Sequence, residues 1–171
     1  MGRRRVAPRS PNPIDPLPNT HARLFVSFDQ EHDADLYERL VAEAAEAGSG
    51  FEIAARSGEL SVDDPWEERQ RRCVREADLL VVLCGEHTHE SRRVDAELRM
   101  AQEEGTPYFL LWGRREGMCK LPGAARKGDG MYSWTADILR DRIYVTLRDA
   151  RDAEIEAAKA EAAAAAKAER R

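Results

Sequence analysis

Apolar residues recur along this chain in two rhythms, and each change of rhythm marks an element. Leu24 to Phe28 (LFVSF) is short, aliphatic and aromatic, which predicts a first strand. From Asp33 to Ala47, residues Leu36, Leu40, Val41 and Ala44 return at helical spacing, and Gly48 supplies a stop. Phe51 to Ala54 reads as a short second strand, followed by a polar loop from Arg56 to Asp64. Asp64 as N-cap and Pro65 in the first turn then predict a helix through Glu76. Trp66 opens that helix, and its reading as a packing anchor is favoured over a ligand stacker because Cys73, Val74 and Ala77 follow it. Leu79 to Cys84 is apolar at every position, as a central parallel strand buried on both faces should be. Ser91 to Glu103 is the next helix, ended by Gly105, and Pro107 to Trp112 the fourth strand. Residues 113–130 form a long glycine-rich loop, Ser133 to Asp141 a short helix, and Ile143 to Leu147 a last strand.

Strands alternating with helices predict an α/β fold, a doubly wound parallel sheet of about five strands covered on both faces. Three regions follow. Residues 1–22 carry Pro8, Pro11, Pro13, Pro16 and Pro18 and few apolar groups, predicting a disordered arm. Residues 23–147 hold the folded domain. Residues 148–171 are rich in Ala, Glu and Lys with Ile155 as the single large aliphatic, predicting a solvated helix or frayed tail without a coiled-coil seam.

Charge narrows the function classes. The net charge of −5 conceals five Arg against one Asp in residues 1–23 and a balanced tail, leaving residues 24–147 with 16 basic and 25 acidic groups. A domain this acidic argues against a nucleic-acid surface. No apolar run approaches the roughly 18 residues of a membrane span. Arg3, Arg4 and Arg5 lead into no hydrophobic region, so no secretory signal is read, and Val6 stands where a myristoylation motif needs Ser or Thr. Cys73, Cys84 and Cys119 form no CxxC pair, and Cys84 reads as a small core hydrophobe. A reducing, cytoplasmic setting is expected.

Candidate chemistry concentrates between Leu79 and Ala101. A buried strand ending at Gly85, a polar loop and a helix opened by Ser91 form the kind of edge where open α/β sheets bind ligands. At about 100° per residue, Glu97 falls about 60° from Val94, at the border of the buried stripe. Two readings stand: a cleft-facing acid, or a helix-edge acid paired with Arg93 or another base. Gly85 permits a tight turn, Thr88 and Ser91 supply hydroxyls, and the helix N-terminus suits a phosphate or a ribose hydroxyl. The loop GEHTHES lacks the Lys of a phosphate-binding loop, and His87-x-His89 lacks further ligands, so no metal is expected and His87 is assigned to loop hydrogen bonding or ligand contact. Phe28 and Asp29, at the carboxyl edge of the first strand, read equally as a base stacker with a ribose-binding acid, or as a core residue with a helix cap shared with Asp33. No catalytic triad stands out.

At these residues the chain resembles the bacterial TIR-like family, especially the TIR-like proteins of Thoeris anti-phage defence systems. The likeness covers about Arg23 to Leu147. It rests on LFVSFD (24–29), FEI (51–53), Trp66, ADLLVVLCG (77–85), Thr88-His89, Ser91, Val94, Glu97 and AQEEGTPYF (101–109). The resemblance implies a flavodoxin-like fold and, in many members, cleavage of the nicotinamide–ribose bond of NAD, which is substrate and not cofactor. Glu97 matches the family's catalytic glutamate, and the family's cleft would bring Phe28, Asp29, Gly85, His87, Thr88 and Ser91 beside it. The resemblance further implies a cyclic ADP-ribose-type messenger that activates a separate effector protein, a phage component as trigger, and self-association. Two departures stand out. Ala55-Arg56-Ser57 replaces an acid and Trp found in many members, and Arg93 and Val94 occupy the stretch where the classical TIR Trp precedes the glutamate. Two other classes compete: a non-enzymatic TIR-like interaction module, and a nucleoside deoxyribosyltransferase-like enzyme with a Glu nucleophile.

Overall fold

A computed structural model of the chain describes residues 21–58 and 65–170. The elements run β1 (Ala22–Ser27), α1 (Ala34–Ala45), β2 (Phe51–Arg56), α2 (Trp66–Glu76), β3 (Leu79–Cys84), a 3₁₀ turn (Thr88–Glu90), α3 (Arg92–Glu104), β4 (Tyr108–Trp112), β5 (Met131–Ser133) and α4 (Ala136–Glu169). The strands form one sheet in the order β2-β1-β3-β4-β5, and every pairing is parallel. This is the α/β fold the pattern predicts, with the flavodoxin-like strand order.

β3 lies at the centre, and all six of its residues are buried. Leu79, Val81 and Leu83 point into one core with Leu24, Val26, Leu36, Leu40, Leu139 and Ile143, so α1 and α4 cover that face. Leu80, Val82 and Cys84 point into the other with Phe25, Val74, Val94, Leu98 and Ala101, so α2 and α3 cover the opposite one. Trp66 packs against this second core, as expected of an anchor. Cys84 is fully buried and its thiol is held far above its usual range by desolvation, which fits a packing role. Gly105, in the left-handed region at φ 72°, ends α3.

One expected element is wrong. Residues 143–147 form no strand. They lie within α4, and the fifth strand is instead Met131–Ser133 at the sheet edge. The short helix expected over 133–141 is the beginning of this long one. Leu139, Ile143 and Leu147 recur every fourth residue and lay one helical stripe on the core, and Thr135 caps the start by accepting from the Ile138 N–H at 3.2 Å. The β-branched run IYVTL obscured that spacing.

Smaller differences sit at the boundaries. β1 begins at Ala22, and β2 extends to Arg56. Asp33 holds the N-cap position of α1, but its side chain makes no cap bond. Pro65 holds the N-cap position of α2, while the expected cap, Asp64, lies outside the described residues, as do residues 1–20 of the expected arm and 59–64 of the polar loop. The expected helical tail is present as the distal part of α4, and residues 151–170 are all solvent-exposed. No helix among the described residues is long and apolar enough to cross a membrane.

Because residues 151–170 are all exposed, deleting 151–171 should leave the thermal midpoint within about 3 °C of the full chain. Far-UV circular dichroism should meanwhile lose helical signal. A drop of about 10 °C or more would show that the tail contributes to the core.

Candidate active site at the carboxyl edge of β1 and β2

Glu97 projects from α3 on the same buried face as Val94, Leu98 and Ala101, and it has no solvent exposure. It is therefore deeper than the stripe border that helical geometry implied. Two hydroxyls meet one of its oxygens. Ser27, the last residue of β1, donates to Oε2 at 2.6 Å. Ser57, just beyond β2, donates to the same oxygen at 2.5 Å. Oε1 is buried with no hydrogen-bond partner among the described residues. The pairing with Arg93 takes a different form from the one expected. The Arg93 Nη1 donates to Gln30 Oε1 at 3.0 Å and to the Gly58 carbonyl, and the residue acts on Glu97 only through its charge.

The balance of these effects sets the protonation of the acid. Desolvation raises the Glu97 pKa to about 7, while the two hydroxyls and the Arg93 charge pull the other way. A buried acid shifted upward by desolvation beside specific hydroxyl partners marks a candidate functional site.

Around the carboxylate the chain is tied shut. The Ser57 Oγ also accepts the Phe28 N–H at 3.1 Å. Gln30 Nε2 donates to the Ser57 carbonyl at 2.5 Å, so Gln30 bridges Ser57 and Arg93. The Arg93 guanidinium carbon lies 5.7 Å from the centre of the Trp66 ring. The segments after β1 and β2 are thus laced to α3 directly beside Glu97.

A second polar cluster sits at the end of β3. The buried Asp33 accepts from the Thr88 hydroxyl at 3.1 Å and from Arg114 Nη2 at 3.0 Å. Thr88 in turn accepts the Gly85 N–H at 2.7 Å. A Cβ on Gly85 would overlap the Asp33 carboxylate, which is why glycine stands there. Burial raises the Asp33 pKa, with Arg114 and Thr88 opposing. Arg114 also grips both oxygens of Asp35, at 2.7 and 2.8 Å.

The residues singled out from sequence therefore divide. Glu97 lies at the centre of the first cluster, and Phe28 touches it only through its backbone N–H. The Phe28 ring is buried in the α1/α4 core and stacks on Tyr37 at 4.8 Å, the core alternative of the two weighed. Gly85 and Thr88 build the second cluster. Ser91 caps α3, accepting from the Val94 N–H at 3.4 Å. Asp29 caps the loop after β1, accepting from the Glu31 N–H at 3.0 Å, and contacts His32 Nδ1 at 2.9 Å. The His32 pKa is raised, chiefly by that contact. The exposed His87 stacks on His32 at 4.3 Å. Asp29, Glu31 and His32 bring possible ligand atoms within 4.8 Å of one another, but these groups are exposed or half-buried and bonded among themselves. Sequence pattern assigns no site role to Ser27, Ser57, Gln30 or Arg114, which the structure brings into the two clusters. The signal for Ser27 was present: a hydroxyl inside LFVSF needs a buried partner.

A doubly wound α/β domain with a protonatable carboxyl buried against two hydroxyls at the sheet's carboxyl edge defines a candidate ligand-processing site. The sequence profile of the TIR domain matches residues 24–162, most of the chain, and the chain belongs to the TIR domain family. No curated protein matches it.

Glu97 gives a pH signature. Its folded pKa of about 7 lies above the ordinary 4.5. Between those values the folded chain binds more protons than the unfolded chain, so stability falls as pH rises through the window. The decline is on the order of 3 kcal/mol. Urea unfolding at about pH 5 and about pH 8 should show wild type losing stability and Glu97→Gln losing markedly less. Equal losses would show that Glu97 titrates normally.

Proposed function

We propose that this TIR domain cleaves the nicotinamide–ribose bond of NAD, with Glu97 as the catalytic residue. The observation that carries the reading is the Glu97 carboxyl itself: buried, met by Ser27 and Ser57 on one oxygen, and on the other without a partner among the described residues. Nicotinamide in NAD is a cationic leaving group, and its departure leaves an oxocarbenium-like ribose. A carboxylate facing that ribose stabilises charge where it develops and needs no second acid. The C–N bond breaks with its electron pair going to the nicotinamide nitrogen. Water attack at the ribose carbon then gives ADP-ribose and releases one proton. Attack by an adenosine nucleophile of the same molecule gives a cyclic isomer, also with release of one proton.

In this proposal Asp29 and His87, on loops at the same edge, contact the substrate, with Gly85, Thr88 and Ser91 shaping the loop beside them. Phe28 contacts it only if Tyr37 uncovers its ring. Substrate access requires the Gln30–Arg93–Gly58 contacts to open. The finer reading follows the Thoeris-like resemblance: a cyclic ADP-ribose-type messenger, produced on phage challenge by self-associated chains, that activates a separate effector.

The complete burial of Glu97 favours a second reading, a non-enzymatic TIR-like interaction module in which the acid only fixes the fold. Incubating wild type and Glu97→Gln with NAD, and reading nicotinamide by mass spectrometry, separates the two. Catalysis predicts release that falls about 100-fold or more in the variant. In wild type it should rise as pH passes about 7 and the carboxylate forms. Equal release from both proteins would remove Glu97 from the mechanism. No release from resting or phage-challenged preparations would favour the interaction module.

A further inference from the structure

A second cleft opens at the other end of the sheet's carboxyl edge. It measures about 580 Å³ and is walled by Arg39, Arg115, Trp112, Trp134, Ser133 and Thr135. Trp112 ends β4 and Ser133 ends β5. Trp134 packs in the α1/α4 core, whereas the helix of Glu97 packs in the opposite one. Glu97 and this cleft are therefore on different faces, and β3 separates β1 from β4. A molecule bound here would not meet Glu97.

The lining has a definite chemistry. Among the described residues no carboxylate lines the cleft, although the chain as a whole is acidic. Arg115 is exposed and has no ion-pair or hydrogen-bond partner among the described residues. Arg39 is committed differently. Its guanidinium lies 4.0 Å over the Trp134 ring, donates to the Trp134 carbonyl at 3.0 Å and pairs with Glu43 at 3.1 Å, so it forms a wall whose charge is partly offset. Trp112 is 40% exposed, a large aromatic surface left uncovered at the end of a strand. Trp134 is 5% exposed, and its indole N–H is buried without an acceptor among the described residues. Thr135, the N-cap of the 34-residue helix α4, also lines the cleft and accepts from the Ile138 N–H, so the positive end of that helix borders the cleft. The one acid in that first turn, Asp137, points to solvent beside Arg140 at 3.3 Å.

An aromatic platform beside an uncommitted guanidinium and a helix N-terminus matches a ligand that is planar at one end and anionic at the other. The volume lies within the roughly 300–1,000 Å³ typical of small-molecule sites. A phosphate suits the arginine fork beside the positive end of a helix, and a purine or pyrimidine suits an indole face. We infer that this cleft is a second binding site, for a ligand of the nucleoside monophosphate class, with the base on Trp112 and the phosphate between Arg115 and the first turn of α4. The inference stands independently of NAD cleavage at Glu97.

Calorimetric titration of the full chain tests it, with AMP as probe and with adenosine and inorganic phosphate as its halves. AMP should bind saturably and about tenfold or more tighter than either half. Arg115→Ala should weaken AMP and phosphate, and Arg115→Lys should recover part of the loss. Trp112→Ala should weaken AMP by roughly 5- to 100-fold and leave phosphate unchanged. Glu97→Gln should leave AMP affinity intact. Both cleft substitutions alter exposed side chains, so unchanged thermal midpoints will confirm that each variant folds. Absence of AMP binding, AMP binding indifferent to both cleft substitutions, or loss of AMP binding in Glu97→Gln would overturn the assignment. Phosphate binding as tightly as AMP would reduce the cleft to a bare anion site and refute the role of Trp112.

Discussion

A carboxyl group held entirely out of water constrains everything around it. Removing an ionised acid from solvent costs several kcal/mol even after the protein relaxes, and among the described residues no direct ion pair offsets this at Glu97. Two hydroxyls and a nearby guanidinium charge stand in for one. Those hydroxyls come from the end of β1 and from just beyond the adjacent β2, so β1, β2 and α3 must hold a common register. The bonds of Gln30 to Ser57 and of Arg93 to Gln30 and Gly58 keep it. Much of the polar structure at this edge serves one side chain.

The second cluster shows the same logic applied to architecture. Asp33 sits where a helix cap belongs, yet its side chain turns away from the helix to Thr88 and Arg114. It binds the start of α1 to the loop after β3 and to the loop after β4. Gly85 has no side chain because the Asp33 carboxylate fills that space. The loop residues resembling a ligand cradle in sequence are thus, in part, the fastening that holds the cradle's shape.

Several of these features were legible in the chain. The apolar run Leu79–Cys84 fixed the central strand, because a parallel strand buried on both faces has no polar alternation to hide it. Ser91 and Gly105 marked both ends of α3. Glu97 was placed near the core by periodicity, but its full burial was not, since that depends on the partners Ser27 and Ser57 contributed from 70 and 40 residues away. The final strand was misplaced for a related reason. IYVTL has strong β propensity, and its helical role appears only when Leu139, Ile143 and Leu147 are seen packing together on the sheet. Propensity is local, whereas both the acid's environment and the last helix are settled by long-range contacts.

The two serines carry one more consequence. Both donating to a single oxygen is an arrangement suited to the ionised acid. Once Glu97 takes a proton on that oxygen, one hydroxyl has to reverse and become the acceptor. A proton taken instead on Oε1, which has no hydrogen-bond partner among the described residues, leaves both serines donating. Ser57 also holds the Phe28 N–H, at the point where β1 gives way to its loop. The Phe28 N–H can only donate, so the backbone end of this chain keeps its polarity, and the site of the proton on Glu97 decides only whether a serine hydroxyl beside the first strand turns over.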